Sequence, residues 1–263
     1  MLALTSLMSA NADFFVRSLA DYIASQLGTS IEIVEGVPWQ ERERMLDRGE
    51  IDIAWICGLP YTLKADRPSS VIELLAAPVM LGSRYQGRPV YFSDVVVREE
   101  SRFREFADLR HSVWAYNEKN SHSGYNVVRY YLATIGEYAG YFDKVIESGS
   151  HLESLQLVLN RKADASAIDS TVLELERDRN PAVQAQLRVI HTLGPSPIPP
   201  WVVSKNMSPE LRAALKEILL HMHENAAGKD VLTKGQVARF AGVVDSDYDP
   251  IRSMSRQAAS VSL

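Results

Sequence analysis

The chain has 263 residues, a length that accommodates one large domain or two modest ones. Hydrophobic residues make up 46% and charged residues 23%, which excludes a disordered or collagen-like chain and supplies a sizeable core. Lys plus Arg number 28 against 33 Asp plus Glu, a formal net charge of −5, so the chain lacks the electrostatic footprint of a general nucleic-acid binder.

The chain opens on Met1–Met8, an apolar run too short for a secretory h-region and preceded by no Lys or Arg. It reads as a first β-strand, and no export signal is expected in the sequence as given. Asn11 to Leu27 then places Phe14, Phe15, Leu19, Tyr22, Ile23 and Leu27 at helical spacing, with Gly28 as the stop. Ile31–Val34 is a short strand, Pro38 to Arg48 a charged helix, and Ile51 to Ile56 a buried strand. In the helix, Arg42, Arg44 and Arg48 alternate with Glu41, Glu43 and Asp47, a solvated face rather than a basic patch. Cys57, the only cysteine, ends the buried strand; no intrachain disulfide or thiolate metal cluster is possible, and a buried thiol is expected. Strand, helix, strand, helix, strand within sixty residues predicts an α/β sheet.

Val71 to Val97 is β-rich, and from Leu109 the alternation resumes. Val113–Tyr116 is a strand, Ser123 to Thr134 a helix, Lys144–Ile146 a strand and His151 to Asn160 a helix. Ala165–Ile168 is a further strand before a helix from Ser170 to Arg177. The strand Leu187–His191 runs into Gly194-Pro195-Ser196-Pro197-Ile198-Pro199-Pro200, which cannot be helix or central strand and reads as a chain crossing. A helix from Pro209 to Asn225 follows, and the last ten or so residues are expected to fray. No apolar run approaches the roughly 18 residues of a membrane span, so no integral membrane segment is expected. The pattern predicts two α/β lobes, residues 1–93 with 193–263 and residues 94–192, each a mixed, mostly parallel sheet with flanking helices. Two chain crossings place a ligand cleft between the lobes.

The chemistry concentrates at strand-to-helix junctions. Asn117-Glu118-Lys119-Asn120-Ser121-His122-Ser123-Gly124-Tyr125 lies between a strand and an amphipathic helix, where two hydroxyls and the free N–H groups of a first turn suit an anion. A plain helix cap is the alternative reading of either serine. Glu147-Ser148-Gly149-Ser150-His151 repeats the design, and Ala167-Ile168-Asp169-Ser170 places Asp169 at a third N-cap. Three junctions converging on one sheet edge make a site. Tyr61, after Gly58-Leu59-Pro60, and Tyr91, beside the first crossing, are candidate hydroxyl donors from the other side; each could equally pack at a sheet edge.

An ordered set of segments covering residues 4–222 resembles the phosphonate, phosphite and phosphate binding proteins of ABC importers. It comprises Gly49–Ile56 with Pro60-Tyr61, Tyr91–Val97, Asp108-Leu109, Trp114–Tyr116, Asn120–Tyr125, Ser148–His151 with Ser154-Leu155, and Ala163–Ala165 with Asp169. Asn120-Ser121-His122-Ser123-Gly124-Tyr125 is similar to the Ser-Thr-Ser-Gly anion loop of that family. The resemblance implies a type II periplasmic-binding fold closing on a tetrahedral oxyanion, with a membrane permease as partner, a periplasmic location and no cofactor. It implies that Ser121, Ser123 and the N–H groups from Gly124 onward hold the oxygens, that His151 donates another hydrogen bond, and that Tyr61 and Tyr91 contact the ligand. Asp169 would accept from a ligand proton or amine, since a carboxylate beside a buried dianion is repulsive. His122 stands where the family carries a small hydroxyl residue and is expected to donate to the ligand or narrow its pocket.

Other classes fit parts of the pattern. Ser121 or Ser123 with His151 and Asp169 could form a hydrolase triad, but no Gly-x-Ser-x-Gly elbow is present. A cytoplasmic ligand sensor on the same fold would suit a chain without an export signal, and a small-molecule enzyme of the periplasmic-binding fold is the further alternative. His221 and His223 lie two apart on a helix, face differently and make no metal site.

Overall fold

The computed structural model describes residues 1–263. The chain forms two compact units, Met1–Val90 with Pro197–Asp249 and Tyr91–Ser196 with Pro250–Leu263. In chain order the first unit carries β1 (Leu2–Ser6), α1 (Asp13–Leu27), β2 (Ile31–Ile33), α2 (Trp39–Asp47), β3 (Ile53–Trp55), α3 (Gly58–Ala65) and β4 (Ile72–Met80). The second unit is built on β5 (Val90–Arg98), β6 (Val113–Tyr116), α4 (Val127–Thr134), β7 (Lys144–Glu147), α5 (His151–Leu159), β8 (Ala165–Asp169), α6 (Ser170–Arg179), α7 (Pro181–Gln186) and β9 (Leu187–Pro197). The chain returns as β10 (Trp201–Ser204), α8 (Pro209–His221), α9 (Ala226–Lys234) and β11 (Val237–Ala241), and ends on α10 (Asp249–Gln257).

The sheet of the first unit has the order β11-β4-β10-β3-β1-β2. β1 runs parallel to β2 and β3, while the returning β10 is antiparallel to β3 and β4 and β11 is antiparallel to β4. Trp55 and Trp201, opposite each other in the β3–β10 register, stack at 5.5 Å, and Phe15 of α1 meets Trp55 edge-on at 5.9 Å. This aromatic pair joins the two chain segments of the unit across 146 residues of sequence difference, and no local pattern announces it.

The sheet of the second unit has the order β7-β6-β8-β5-β9, with β6 parallel to β7 and β8 and β5 antiparallel to β8. Successive strand residues point to opposite faces, so each strand feeds two cores. Val95, Val97, Trp114 and Ala167 enter one core with Phe106, Leu132 and Phe142, where Trp114 stacks on Phe142 at 4.6 Å. Val96, Ala115 and Ile168 enter the other with Leu155, Val158 and Val172. Both faces therefore carry apolar cores, and the polar groups of the cluster described below lie at the ends of its strands.

Three expectations differ from this architecture. The boundaries fall at 90/91 and 196/197 rather than 93/94 and 192/193, because β9 continues through the prolines to Pro197. β9 is an edge strand, where proline's missing N–H costs no ladder bond. Residues 250–263, expected to return to the first lobe and to fray, pack on the second unit: the Arg129 guanidinium donates to the carbonyls of Ala258 and Val261, both at 2.7 Å, and Val261 is buried. Cys57, expected to be buried, is half-buried at the N-cap of α3.

Charge-assisted hydrogen bonds of this kind contribute about 1.5–3 kcal/mol together with what their acceptors lose when orphaned. Arg129→Met should therefore lower unfolding stability by about 2 kcal/mol and accelerate amide exchange across residues 250–263. Hydrogen exchange read by mass spectrometry checks this; unchanged protection of that segment would refute the tie.

Candidate functional site

The polar cluster of the second unit is centred on the turn after β6. Residues His122–Asn126 form a single wide π-helical turn, marked by the Asn126 N–H donating to the Ser121 carbonyl at 3.0 Å, before α4 begins at Val127. Ser121 is its N-cap, its Oγ accepting from the Gly124 N–H at 3.0 Å. The cap leaves the Ser121 hydroxyl proton to donate elsewhere. Gly124 is required by space: a side-chain carbon there would stand 2.0 Å from Asn117 Oδ1 and 3.3 Å from His151 Cε1.

Ser123 gathers the other junctions. Its Oγ lies 3.0 Å from His151 Nε2, and its carbonyl accepts from Ser93 Oγ at 2.8 Å. Ser93 is the register partner of Asp169 across the β5–β8 ladder, so the third junction arrives at the same place. Ser150 caps α5, accepting from the Glu153 N–H at 3.1 Å, which sets His151 in the first helical turn. Asp169 caps α6, its Oδ1 accepting from the Thr171 N–H at 2.8 Å and the Thr171 hydroxyl at 2.7 Å.

Ser123, His151 and Asp169 are buried, and burial governs the protonation of the imidazole and the carboxyl. It pushes the His151 imidazole down to about 4 and the Asp169 carboxyl up to about 6, the latter despite the donors of Thr171 and Val172. His151 Nδ1 is buried with no hydrogen-bond partner. A bare lone pair is tolerated there better than an unpaired N–H, which assigns the proton to Nε2. Nε2–H then donates to Ser123 Oγ and frees the Ser123 hydroxyl proton. The arrangement presents two hydroxyl donors, from Ser121 and Ser123, at the start of α4, with neutral imidazole behind one of them.

The structure thus brings together Ser121, His122, Ser123, Gly124, His151 and Asp169. Tyr91 is buried in the same unit, its ring 6.4 Å from that of His122. Three roles differ from expectation. The Gly124 N–H is taken by Ser121 Oγ. Both ring nitrogens of His122 are bonded within the protein, Nδ1 to Asn126 Nδ2 at 3.1 Å and Nε2 to Ser196 Oγ at 2.9 Å. Tyr61, in the first unit, lies within α3, donates its hydroxyl to Asp245 Oδ1 at 2.7 Å and packs on Tyr248 at 4.8 Å. Asn126, Ser93, Thr171 and Ser196 are not among the expected site residues, although Ser93 lies in the segment Tyr91–Val97 and Ser196 in the proline cluster, both singled out in the sequence.

Residues 9–248 match the family described as ABC transporter, phosphonate, periplasmic substrate-binding protein. The chain belongs to this family. Its fold is that of type II periplasmic-binding proteins, and the family is one of solute-binding proteins rather than enzymes. Among solved structures it is similar to a binding protein component of an ABC phosphonate transporter from Pseudomonas aeruginosa. The TM-score is 0.86 at 22% identity, over 98% of this chain and 86% of that one. It is also similar to PhnD1 from Prochlorococcus marinus in complex with methylphosphonate, with a TM-score of 0.82 at 17% identity over 99% and 98% of the two chains. An ancestral arginine-binding protein bound to arginine gives 0.61 at 17% identity over 89% and 96%. At these identities the structures attest the fold; the family match attests the membership.

The two kinds of titrating group act on stability with opposite sign. An unfolded histidine takes up its proton near 6.5, the folded His151 only near 4, so the unfolded chain binds more protons in between and stability falls as pH drops through that window. Asp169 titrates near 6 folded against 3.8 unfolded, so it adds stability as pH falls from about 6 to about 4. His151→Asn should reduce the acid-induced loss by up to about 1.4 kcal/mol per pH unit, and Asp169→Asn should increase it. Urea unfolding at pH 7, 6 and 5 checks both signs.

Proposed function

We propose that the cluster around Ser123 holds the tetrahedral oxyanion head of a phosphonate, phosphite or phosphate. The observation that carries this reading is the Ser123–His151 pair at the start of two helices, with the hydroxyl proton left to an incoming acceptor. Ser121 supplies a second hydroxyl, and the N–H groups of the first turn and the helix dipole supply the rest of the attraction. No transferable nucleophile is needed: an activated serine requires a base that can take its proton, and His151 Nε2 already carries one. The ligand is therefore held rather than transformed.

Asp169 sets the preference among such ligands. A buried carboxylate next to a dianion is repulsive, whereas a protonated oxygen or an ammonium group gives it a hydrogen bond. The reading thus favours a monoanionic head or an aminoalkyl substituent. In this role the protein works in the periplasm, delivering its ligand to a membrane permease, as the family does; no helix of the chain is long and apolar enough to cross a membrane itself.

Isothermal titration against phosphate, phosphite, methylphosphonate and 2-aminoethylphosphonate tests the proposal. A 1:1 isotherm is expected for at least one, weakened about tenfold or more in Ser123→Ala through loss of a charge-assisted hydrogen bond. Gly124→Ala should abolish binding by displacing the turn. Asp169→Asn should weaken 2-aminoethylphosphonate relative to methylphosphonate by about tenfold. A folded, ligand-free sample silent across the panel would overturn the reading.

A further inference from the structure

The imidazole of His122 is the least expected member of the cluster, and its surroundings define its chemistry closely. Nδ1 lies 3.1 Å from Asn126 Nδ2, an amide nitrogen that can only donate, so Nδ1 is a bare acceptor. The ring proton is therefore on Nε2 and donates to Ser196 Oγ at 2.9 Å. Burial pushes the imidazole down to about 3, which keeps this tautomer neutral at any physiological pH. His122 and Ser196 are both buried, and the ring of Tyr91 packs 6.4 Å from the imidazole.

The partners are informative by their places in the chain. Asn126 closes the π-turn that carries Ser123 and Gly124, whereas Ser196 is the last residue of the second unit before the chain leaves it at Pro197. Tyr91 is the first residue of the same unit. Gly194, two residues before Ser196, lies so close to the Tyr91 carbonyl that a side-chain carbon would stand 3.3 Å from it, so both crossing segments are packed together where His122 attaches. A side chain the size of serine or threonine at position 122 could not bond Asn126 and Ser196 at once. The imidazole spans them because its two nitrogens lie on opposite sides of a rigid ring.

We infer that His122 is a positioning residue, a strut that holds the oxyanion turn against the edge strand β9 at the chain crossing and makes no contact with the ligand. This rests on the proposed role of the turn, and it acts through Ser123: the residue next to the strut carries the hydroxyl whose placement decides binding. With both nitrogens occupied, the ring can reach a ligand only by giving up two buried hydrogen bonds. The ligand oxygens thus fall to Ser121, Ser123 and backbone N–H groups.

The test uses the intact chain labelled with 15N-histidine. In the ligand-free protein, His122 should show the neutral Nε2–H tautomer with a protected ring proton, and Ser196→Ala should remove that protection and raise amide exchange at Ser123 and Gly124 by about tenfold. On adding methylphosphonate, the His151 ring signals should shift and the His122 tautomer should persist. Ser196→Ala and His122→Gln should each weaken methylphosphonate several-fold, and the double variant should bind no worse than His122→Gln alone, since both remove one strut. The strut is overturned if His122 changes tautomer or protonates on ligand addition. It is equally overturned if Ser196→Ala leaves both exchange and affinity at wild-type values. Should methylphosphonate fail to bind the wild-type chain, the function reading fails first; the exchange and tautomer measurements in the ligand-free protein still decide the strut, and Ser196→Ala keeps them decisive where His122→Gln does not fold.

Discussion

Ser123 is buried together with two imidazoles and a carboxylate. Burial alone moves both imidazoles, and it outweighs the hydrogen bonds to Asp169. The polar groups of the turn and of the helix starts are satisfied by neutral neighbours, because an orphaned buried donor or acceptor costs about 1–3 kcal/mol, while His151 Nδ1 is left bare. That requirement explains the local architecture. The Ser123 carbonyl needs Ser93, the Gly124 N–H needs Ser121, the His122 ring needs Asn126 and Ser196, and the α5 and α6 starts need Ser150 and Asp169. The strands of the second unit serve to deliver these residues to one edge, and their two apolar cores hold that edge in place.

A neutral cradle treats an anion differently from a cluster of arginines. Long-range attraction is weak, so recognition depends on hydrogen-bond geometry at short range and on helix starts that cost no reorganisation when the ligand arrives. On the proposed reading, specificity then comes from the donors' fixed directions, which suit a tetrahedral head, and from the one group able to object. Asp169 is that group. Held near 6, it is poised so that a charged neighbour determines whether it keeps its proton.

The sequence made the periodic part of the fold readable because strand and helix periods are local properties. β6, β7 and β8 and the helices after them fall within a few residues of where spacing puts them, and with them the positions of Ser121, Ser123, His151 and Asp169. What was not legible is contact across sequence distance. The Trp55–Trp201 stack, the Arg129 bonds to the last residues and the His122–Ser196 bond join segments separated by 74 residues or more, with no spacing rule to announce them. The ring partners of His122 were hidden for the same reason. Its place on the turn was clear, but whether its ring turns outward to a ligand or inward to a strand depends on a serine in a proline-rich segment far along the chain. Tyr61 is the parallel case in the first unit, its hydroxyl directed to Asp245, 184 residues away.

The proposed strut at position 122 has a consequence for how the turn works. A short side chain at position 122 would add one more donor to the cradle but leave the turn held by its backbone alone. The imidazole removes that donor and ties the turn to β9 at the point where the chain leaves the unit. Fewer donors lower the attraction available to any oxyanion; a fixed turn lowers the ordering cost of presenting those that remain. On this reading, binding depends less on the number of contacts around the anion and more on how little the turn must rearrange to make them, which suits a carrier whose cradle is already in shape when the ligand arrives.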